Sequence, residues 1–378
     1  MDLNNLKYLV VGSGFFGSVI AERIASVLNE KVLIIDKRKH IGGNCYTEIN
    51  KDSEVEVHKY GSHLFHTSDE KTWKYINQFT AFNSYQHRVL TIHKNQVYSM
   101  PINLMTINNF YKKNFNPTEA LKFLKEEINK DSISHPSNLH EKAISLIGRP
   151  LYEAFIQGYT QKQWQTDLKQ LPENIITRLP VRYNFNDRYF NDTYEGLPLN
   201  GYTQVFKNML NHPNIEVQTS IDYFSIANQV PKDCKIIYTG PIDRYFNYKF
   251  GRLGWRTLRF EEESLNIADY QGTSVMNYAD LDVPFTRIHE FKHLHPERKY
   301  PNKTTIFREF SLTATENSEP FYPVNTEVDK ITYQQYVTES NKTNNVIFGG
   351  RLGNYVYLDM HQVISSALNT FETKIRKK

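Results

Sequence analysis

The chain has 378 residues, 39% of them hydrophobic, with 45 Lys and Arg against 41 Asp and Glu for a net charge of +4. That length is enough for two or three packed domains, and so small a net charge excludes a strong nucleic-acid field; an anionic small molecule is an equally fitting partner, and the basic end KIRKK reads as a solvated tail. The two cysteines, Cys45 and Cys234, argue against a disulfide framework and suit a reducing cytosol. Met1 to Lys7 lacks a cleavable signal pattern and no apolar run approaches ~18 residues, so neither export nor a membrane span is expected.

The opening stretch LKYLVVGSGFFGSVIAERIASVLNEKVLIID reads as strand, glycine turn, amphipathic helix, strand, with Val19, Ile20, Ile24, Val27 and Leu28 on the buried face of the helix. Gly12, Gly14 and Gly17 form G-x-G-x-x-G between the first strand and the helix, and Asp36 closes the second strand. Glycines there let backbone approach a pyrophosphate at the helix N-terminus, while the acid accepts from ribose hydroxyls. The alternative is a tight turn with no ligand. A few residues on come Gly42-Gly43 and Asn44, preceded by a short basic spacer. An NAD domain has no general need of backbone folded back over the phosphates there. Many FAD domains do, so the glycine pair points to FAD.

From about Leu104 the pattern turns helical. NPTE offers Asn116 as cap, Pro117 in the first turn and Glu119 to complete a capping box. Gly148 stops one helix, and Arg149-Pro150 opens another that runs toward Trp164. Beyond Pro180 the text becomes aromatic and alternating (VRYNFNDRYF, WRTLRFEEE, TTIFREFS), the pattern of an antiparallel sheet. CKIIYTG and NNVIFGG are short apolar strands ending in glycine, like the first. The expected architecture is therefore α/β. A discontinuous Rossmann-like FAD-binding domain (1–80, 205–250, 335–378) is interrupted by a helical domain (104–170) and an antiparallel β-sheet domain (81–103, 180–204, 251–334). Residues 165–178, with a proline, mixed charge and no clean period, are expected to form a movable lid.

Two features have plain readings. His58, His63 and His66 on their own suggest a loop whose imidazoles bond backbone. His289 to His293 formally match H-E-x-x-H, but that motif binds zinc only on a helix. On a strand its two histidines stand roughly 13 Å apart, so no metal is expected.

Eleven motifs, among them VGSGFFG, IDKRKHIGGN, HKYGSHLFHT, GYTQKQW, TRLPVR, VPFTR, FREFS, EPFYPV and FGGRLGNYVYLDMHQVI, stand in the order found in bacterial UDP-galactopyranose mutases. The resemblance runs from Lys7 to about Leu368. It implies a cytoplasmic enzyme, a homodimer, that interconverts UDP-galactopyranose and UDP-galactofuranose by covalent catalysis from N5 of reduced FAD, with no net redox change. By the same resemblance Phe16, Lys37, Gly43, Asn44, His63, Leu64, Arg351, Leu358, Asp359 and Met360 join Gly12, Gly14, Gly17 and Asp36 at the cofactor. Arg178 and Arg287 match the diphosphate-binding arginines, and their planar forks suit phosphate. His66 matches a histidine at the flavin face. Phe155, Tyr159, Thr160, Trp164, Tyr189, Asn277, Tyr322 and Tyr357 match positions around the nucleotide sugar. Departures are His87, Gln165, Trp255, Arg308 and Phe310, which bear on specificity more than on reaction type. The alternatives are a UDP-N-acetylgalactopyranose mutase, an amine-oxidase-like flavoenzyme and a non-catalytic flavin sensor. The histidine kept in SHLFH favours galactose, and the paired arginines disfavour a sensor.

Overall fold

The computed structural model describes residues 3, 5–176, 181–316 and 318–376. Its first unit is the expected one. Strand β1 (Tyr8–Val11) leads through the glycine turn into helix α1 (Phe15–Leu28), and strand β2 (Val32–Ile35) returns alongside β1. The parallel sheet built on them has five strands, in the order Val346–Phe348, Lys235–Tyr238, β1, β2, Ile215–Gln218. Segments far apart in sequence supply it; β2 is buried throughout, as a strand covered on both faces must be, whereas the edge strand Ile215–Gln218 is partly exposed. Val19, Ile20 and Ile24 of α1 are fully buried, against a core shared with the helices Gly201–Leu210 and Met360–Thr370. Val27 departs from expectation at 39% exposure. It lies seven residues beyond Ile20, where the helical period has drifted by about 20° out of the buried stripe.

The second sheet has seven strands, in the order Tyr322–Pro323, Trp255–Leu265, Thr304–Thr313, Arg287–Glu290, Val275–Tyr278, Val89–His93, Gln96–Met100. Its pairings are antiparallel except one. Val275–Tyr278 lies parallel to Val89–His93, two strands joined by no hairpin because most of the chain's middle separates them. Residues 181–192, expected to be sheet, form no strand. There the asparagines bond the backbone locally: Asn184 Oδ1 accepts from Asn186 N at 2.9 Å and Asn186 Oδ1 from Arg188 N at 3.1 Å. Arg182 donates to the carbonyls of Asn186 and Arg188. Such side-chain turns take the donors a ladder would need.

Against the second sheet lies a helical part with its own core, in which Leu124, Leu139, Ile144 and Tyr152 are buried. Asn116 and Glu119 form the capping box of helix Pro117–Asn129, and Gly148, at φ +76°, ends Leu139–Ile147. A wide helical stretch, Tyr152–Gln157, then passes into helix Gly158–Trp164. Among the described residues, no helix is long and apolar enough to cross a membrane.

The junction of α1 with β1 allows no side chain at the third glycine. A Cβ on Gly17 would lie 2.0 Å from Gly12 O and 2.9 Å from Val10 Cγ1. Gly17→Ala must push the helix off the strand and should cost about 2–4 kcal/mol, read as a lowered denaturation midpoint at unchanged m-value.

Candidate functional site

The cofactor side is a cleft of about 870 Å³ that opens at the C-terminal end of the parallel sheet, where α/β folds bind ligands. Gly12 turns the chain with φ +101°, and a Cβ on it would meet Thr239 Oγ1 at 2.0 Å. The first turn of α1 has neither a side-chain cap nor an acid, so its N–H groups are left for an anion. The glycine pair lies against the same turn. A Cβ on Gly43 (φ +56°) would stand 3.1 Å from Gly14 Cα, and one on Gly42 (φ +92°) 2.9 Å from the Phe206 ring. Backbone therefore packs on backbone here, and both loops wall the cleft.

Asp36 is buried at the cleft edge. It accepts from Ser13 N (2.9 Å), Ser13 Oγ (2.7 Å) and Arg38 N (2.9 Å), which leaves about one of a carboxylate's four acceptor positions for a ribose hydroxyl. Lys37 and Arg38 reach Glu319 at 2.7 and 3.1 Å, and Asn44 Oδ1 accepts from Arg38 at 2.9 Å. Phe16, His63, Arg351 and Met360 also line the cleft. Burial pulls the His63 imidazole down to about 4, and its Nδ1 lies 2.8 Å from Gly61 O. Leu64, Leu358 and Asp359 adjoin these residues in the chain without lining the cleft. Asp359 caps helix Met360–Thr370.

The second sheet presents a polar row. Thr91, Asn277, Arg287 and Glu309 stand opposite one another on four successive strands, so their side chains share one face. Arg287 Nη2 donates to Tyr159 Oη at 2.6 Å, and its Nε lies 3.1 Å from Glu309 Oε1 without hydrogen-bond alignment. Burial opposes the Arg287 charge, yet Glu309 and the phenols of Tyr159, Tyr322 and Tyr189 raise it above its ordinary value. Burial likewise pushes the Tyr159 phenol up to about 12. Asn277 Oδ1 is buried with no partner among the described residues, an acceptor awaiting a donor. The rings of Tyr322 and Tyr357 lie 5.7 Å apart, tilted by 41°, and Tyr357 donates to Asp359 Oδ1 at 3.1 Å. These phenols join the polar row to the cofactor cleft, because Arg351 lies 4.9 Å from the Tyr357 ring.

The structure does not gather every expected residue in one way. Phe155 is buried in the helical core against Tyr98 and Phe110, so it supports the site by packing, and Trp164 packs on that same core. Thr160 is half-buried on helix Gly158–Trp164, and Tyr189 is exposed beside Phe190 and His87. Arg178 lies outside the described residues. The described part of the expected lid segment is docked, since Leu168, Leu171 and Ile176 are buried in the helical core. His66 bonds Asp192 through Nδ1 at 2.6 Å and stacks on Phe190 at 3.6 Å. Its ligand atom lies within 4.8 Å of those of Asp359 and His361. In the H-E-x-x-H stretch, His289 bonds Glu309 and Ser62, whereas His293 faces Glu290 and Asp269, so the two imidazoles do not converge.

Sequence reasoning missed Glu309, Asp192 and Arg256. Glu309 stood inside a quoted motif, but nothing local says that it opposes Arg287. Arg256 is buried with no carboxylate partner among the described residues, bonding Thr313 Oγ1 at 2.7 Å and Ser311 Oγ at 3.1 Å, and no sequence signal marks it. His87, a departure from the family pattern, is buried with Nδ1 3.0 Å from Tyr85 Oη, and burial with the nearby Arg287 pulls it down to about 3.

A family model described as UDP-galactopyranose mutase matches residues 154–357, and one described as an NAD(P)-binding Rossmann-like domain matches residues 10–79. A probable UDP-galactopyranose mutase of Klebsiella pneumoniae is 40% identical over 97% of this chain and 94% of its own. A dTDP-fucopyranose mutase of Escherichia coli is 38% identical over 98% of both. The UDP-galactopyranose mutase of Mycoplasma genitalium is 30% identical over 96% of this chain and 93% of its own. A crystal structure of reduced UDP-galactopyranose mutase superposes with a TM-score of 0.73 at 13% identity, covering 97% of this chain and 93% of that one. At that identity it bears on the fold alone.

Gly14 has an ordinary extended backbone (φ −72°, ψ −177°), and a Cβ there would meet only Gly43 Cα, at 3.9 Å. The further methyls of Gly14→Val must then point at the cleft. This variant should fold at close to the parent's thermal midpoint and be colourless; a normal flavin spectrum and stoichiometry would remove the cofactor from this turn.

Proposed function

The chain belongs to the UDP-galactopyranose mutase family, and on that premise we propose that it interconverts UDP-galactopyranose and UDP-galactofuranose with FAD in its reduced form and no net oxidation. The observation that carries this reading is the polar row. Arg287, Asn277 and three phenols converge beside a dinucleotide cleft, an arrangement suited to a nucleotide diphosphate bound against a cofactor. The cleft fits FAD: the bare first turn of α1 and the Gly14–Gly43 approach suit a pyrophosphate, and Asp36 keeps an acceptor for ribose. When bound and reduced, FAD supplies a nucleophile for the anomeric carbon as UDP departs.

The chain's own residues have the remaining tasks. Arg287 and Arg178 pair the diphosphate and take up the charge that develops on the leaving UDP. Tyr159 Oη accepts from Arg287, so its own hydrogen is free to point at substrate. With its pKa pushed up to about 12, it stays a donor at neutral pH. Tyr322 adds a donor, Tyr357, whose hydrogen goes to Asp359, offers its oxygen, and Asn277 Oδ1 accepts from a hydroxyl. Conversion of a pyranose to a furanose returns a proton to O5 as O4 loses one. His66, with Nδ1–H held by Asp192, presents Nε2 as the atom that can hold a proton. The three-part domain division, a homodimer and a cytoplasmic setting belong to the same reading.

The E. coli relative keeps a second nucleotide sugar in view, dTDP-fucopyranose, which differs in its base, in lacking the ribose 2′-hydroxyl and in lacking the hydroxyl on C6 of the sugar. Dithionite-reduced protein given UDP-galactofuranose should yield UDP-galactopyranose by chromatography, with reductant needed but not consumed stoichiometrically. Equal turnover by rigorously oxidised protein would end the reduced-flavin reading. A kcat/KM at least tenfold higher for dTDP-fucofuranose would replace galactose with fucose.

Closure is expected as well. UDP without sugar offers the arginines a multiply charged partner and should draw 165–178, with the helices on which Leu168 and Leu171 pack, over the site, excluding water. Hydrogen exchange at saturating UDP should show added protection across that segment. Unchanged exchange there means the segment is no ligand-driven lid.

A further inference from the structure

We infer that Glu309 is a positioning residue for Arg287, and that His289 and Ser62 hold Glu309 in the orientation this requires. The inference rests on the reading of Arg287 as a diphosphate ligand.

The sheet register puts the groups together. Arg287 and Glu309 are cross-strand partners, and His289, two residues beyond Arg287, points to the same face. Glu309 is 5% exposed, with Oε1 3.1 Å from Arg287 Nε and Oε2 2.9 Å from His289 Nε2. Thr286 Oγ1 lies 3.4 Å from Oε1 and 3.0 Å from the Glu309 carbonyl. His289 Nδ1 in turn lies 2.7 Å from Ser62 Oγ.

Chemistry fixes the direction of each bond. Burial works against the Glu309 carboxylate, but Arg287 and His289 hold it below the ordinary range, so it is ionised and only accepts. The contact with His289 is then Nε2–H donating to Oε2. Burial keeps His289 neutral, which leaves Nδ1 as a lone pair, and the Ser62 hydroxyl must donate to it. Ser62 stands between Gly61 (φ +88°) and His63, on the loop that walls the cofactor cleft. An ordered chain thus runs from that wall through Ser62, His289 and Glu309 to Arg287, and on to Tyr159.

Its purpose is geometric, because its electrostatic effect on substrate is adverse. A buried carboxylate beside Arg287 cancels much of the charge that would attract a diphosphate. What Glu309 supplies is direction: with its flank against Oε1, the guanidinium can turn its fork only toward Tyr159 and the space beyond. A phosphate ligand held in one rotamer binds with less entropy lost than one that swings.

The two roles predict opposite signs. If Glu309 acted through its charge, Glu309→Gln would tighten binding of UDP. If it positions Arg287, the same variant should weaken UDP binding about 10-fold, measured calorimetrically on FAD-loaded protein, with flavin content unchanged. Ser62→Ala, on a half-buried loop, should weaken UDP binding in the same direction by a smaller factor even where Glu309→Gln folds poorly. Arg287→Ala should lose at least about 10-fold, and Arg287→Ala combined with Glu309→Gln should be no weaker than Arg287→Ala alone. Full UDP affinity in Arg287→Ala would overturn the assignment of Arg287 itself. Loss there, with unchanged or tighter binding in Glu309→Gln and in Ser62→Ala, would overturn only the positioning role.

Discussion

A guanidinium drawn partly out of water gains from an anion beside it, and this structure sets Glu309 against Arg287 in that way. Desolvation of an ion pair costs several kcal/mol per ion, so such a pair is weak evidence of added stability and better evidence of a constraint on geometry. Here the constraint spreads. Glu309 faces Arg287 because their strands pair in one register, His289 shares their face through the two-residue period of the strand, and Tyr159 meets the arginine from the helical part. The pair therefore ties three separately folded segments to one point.

The two sides of the site are built by opposite means. On the cofactor side the working surface is backbone. Glycines at 12, 14 and 43 clear side chains away so that amide groups and a helix terminus can reach an anion, and Asp36 is held rigid by bonds from Ser13 and Arg38. On the other side the working surface is side chains carried in a row by a twisted sheet, where neighbouring strands set spacing and alternation sets direction. Backbone suits a phosphate at a fixed place. Phenols and guanidinium suit a partner that arrives, reacts and leaves.

The same fold is shared with proteins of other chemistry. A putative protoporphyrinogen oxidase from Exiguobacterium superposes with a TM-score of 0.62 at 10% identity. Fold alone cannot separate such enzymes. What separates this chain is the set of relatives at 30–40% identity that match it nearly end to end.

Sequence by itself determined the local elements and their chemistry. The βαβ unit, the capping box at Asn116 and Glu119 and the helix stop at Gly148 depend on neighbours within a few residues, so their signals are complete in the text. The cofactor class was legible for the same reason, since Gly12 to Asn44 is one continuous run. Tertiary structure alone decided what touches what across long separations. Gly43 lies on Gly14, Glu319 reaches Lys37, and Glu309 opposes Arg287, because strand register and loop placement are set by the whole core. The reading of 181–192 as sheet failed on the same boundary. Its alternation was real, but asparagines bonded to the backbone took the N–H groups of Asn186 and Arg188, and pairing went no further than a single bridge of Arg188 with Arg88.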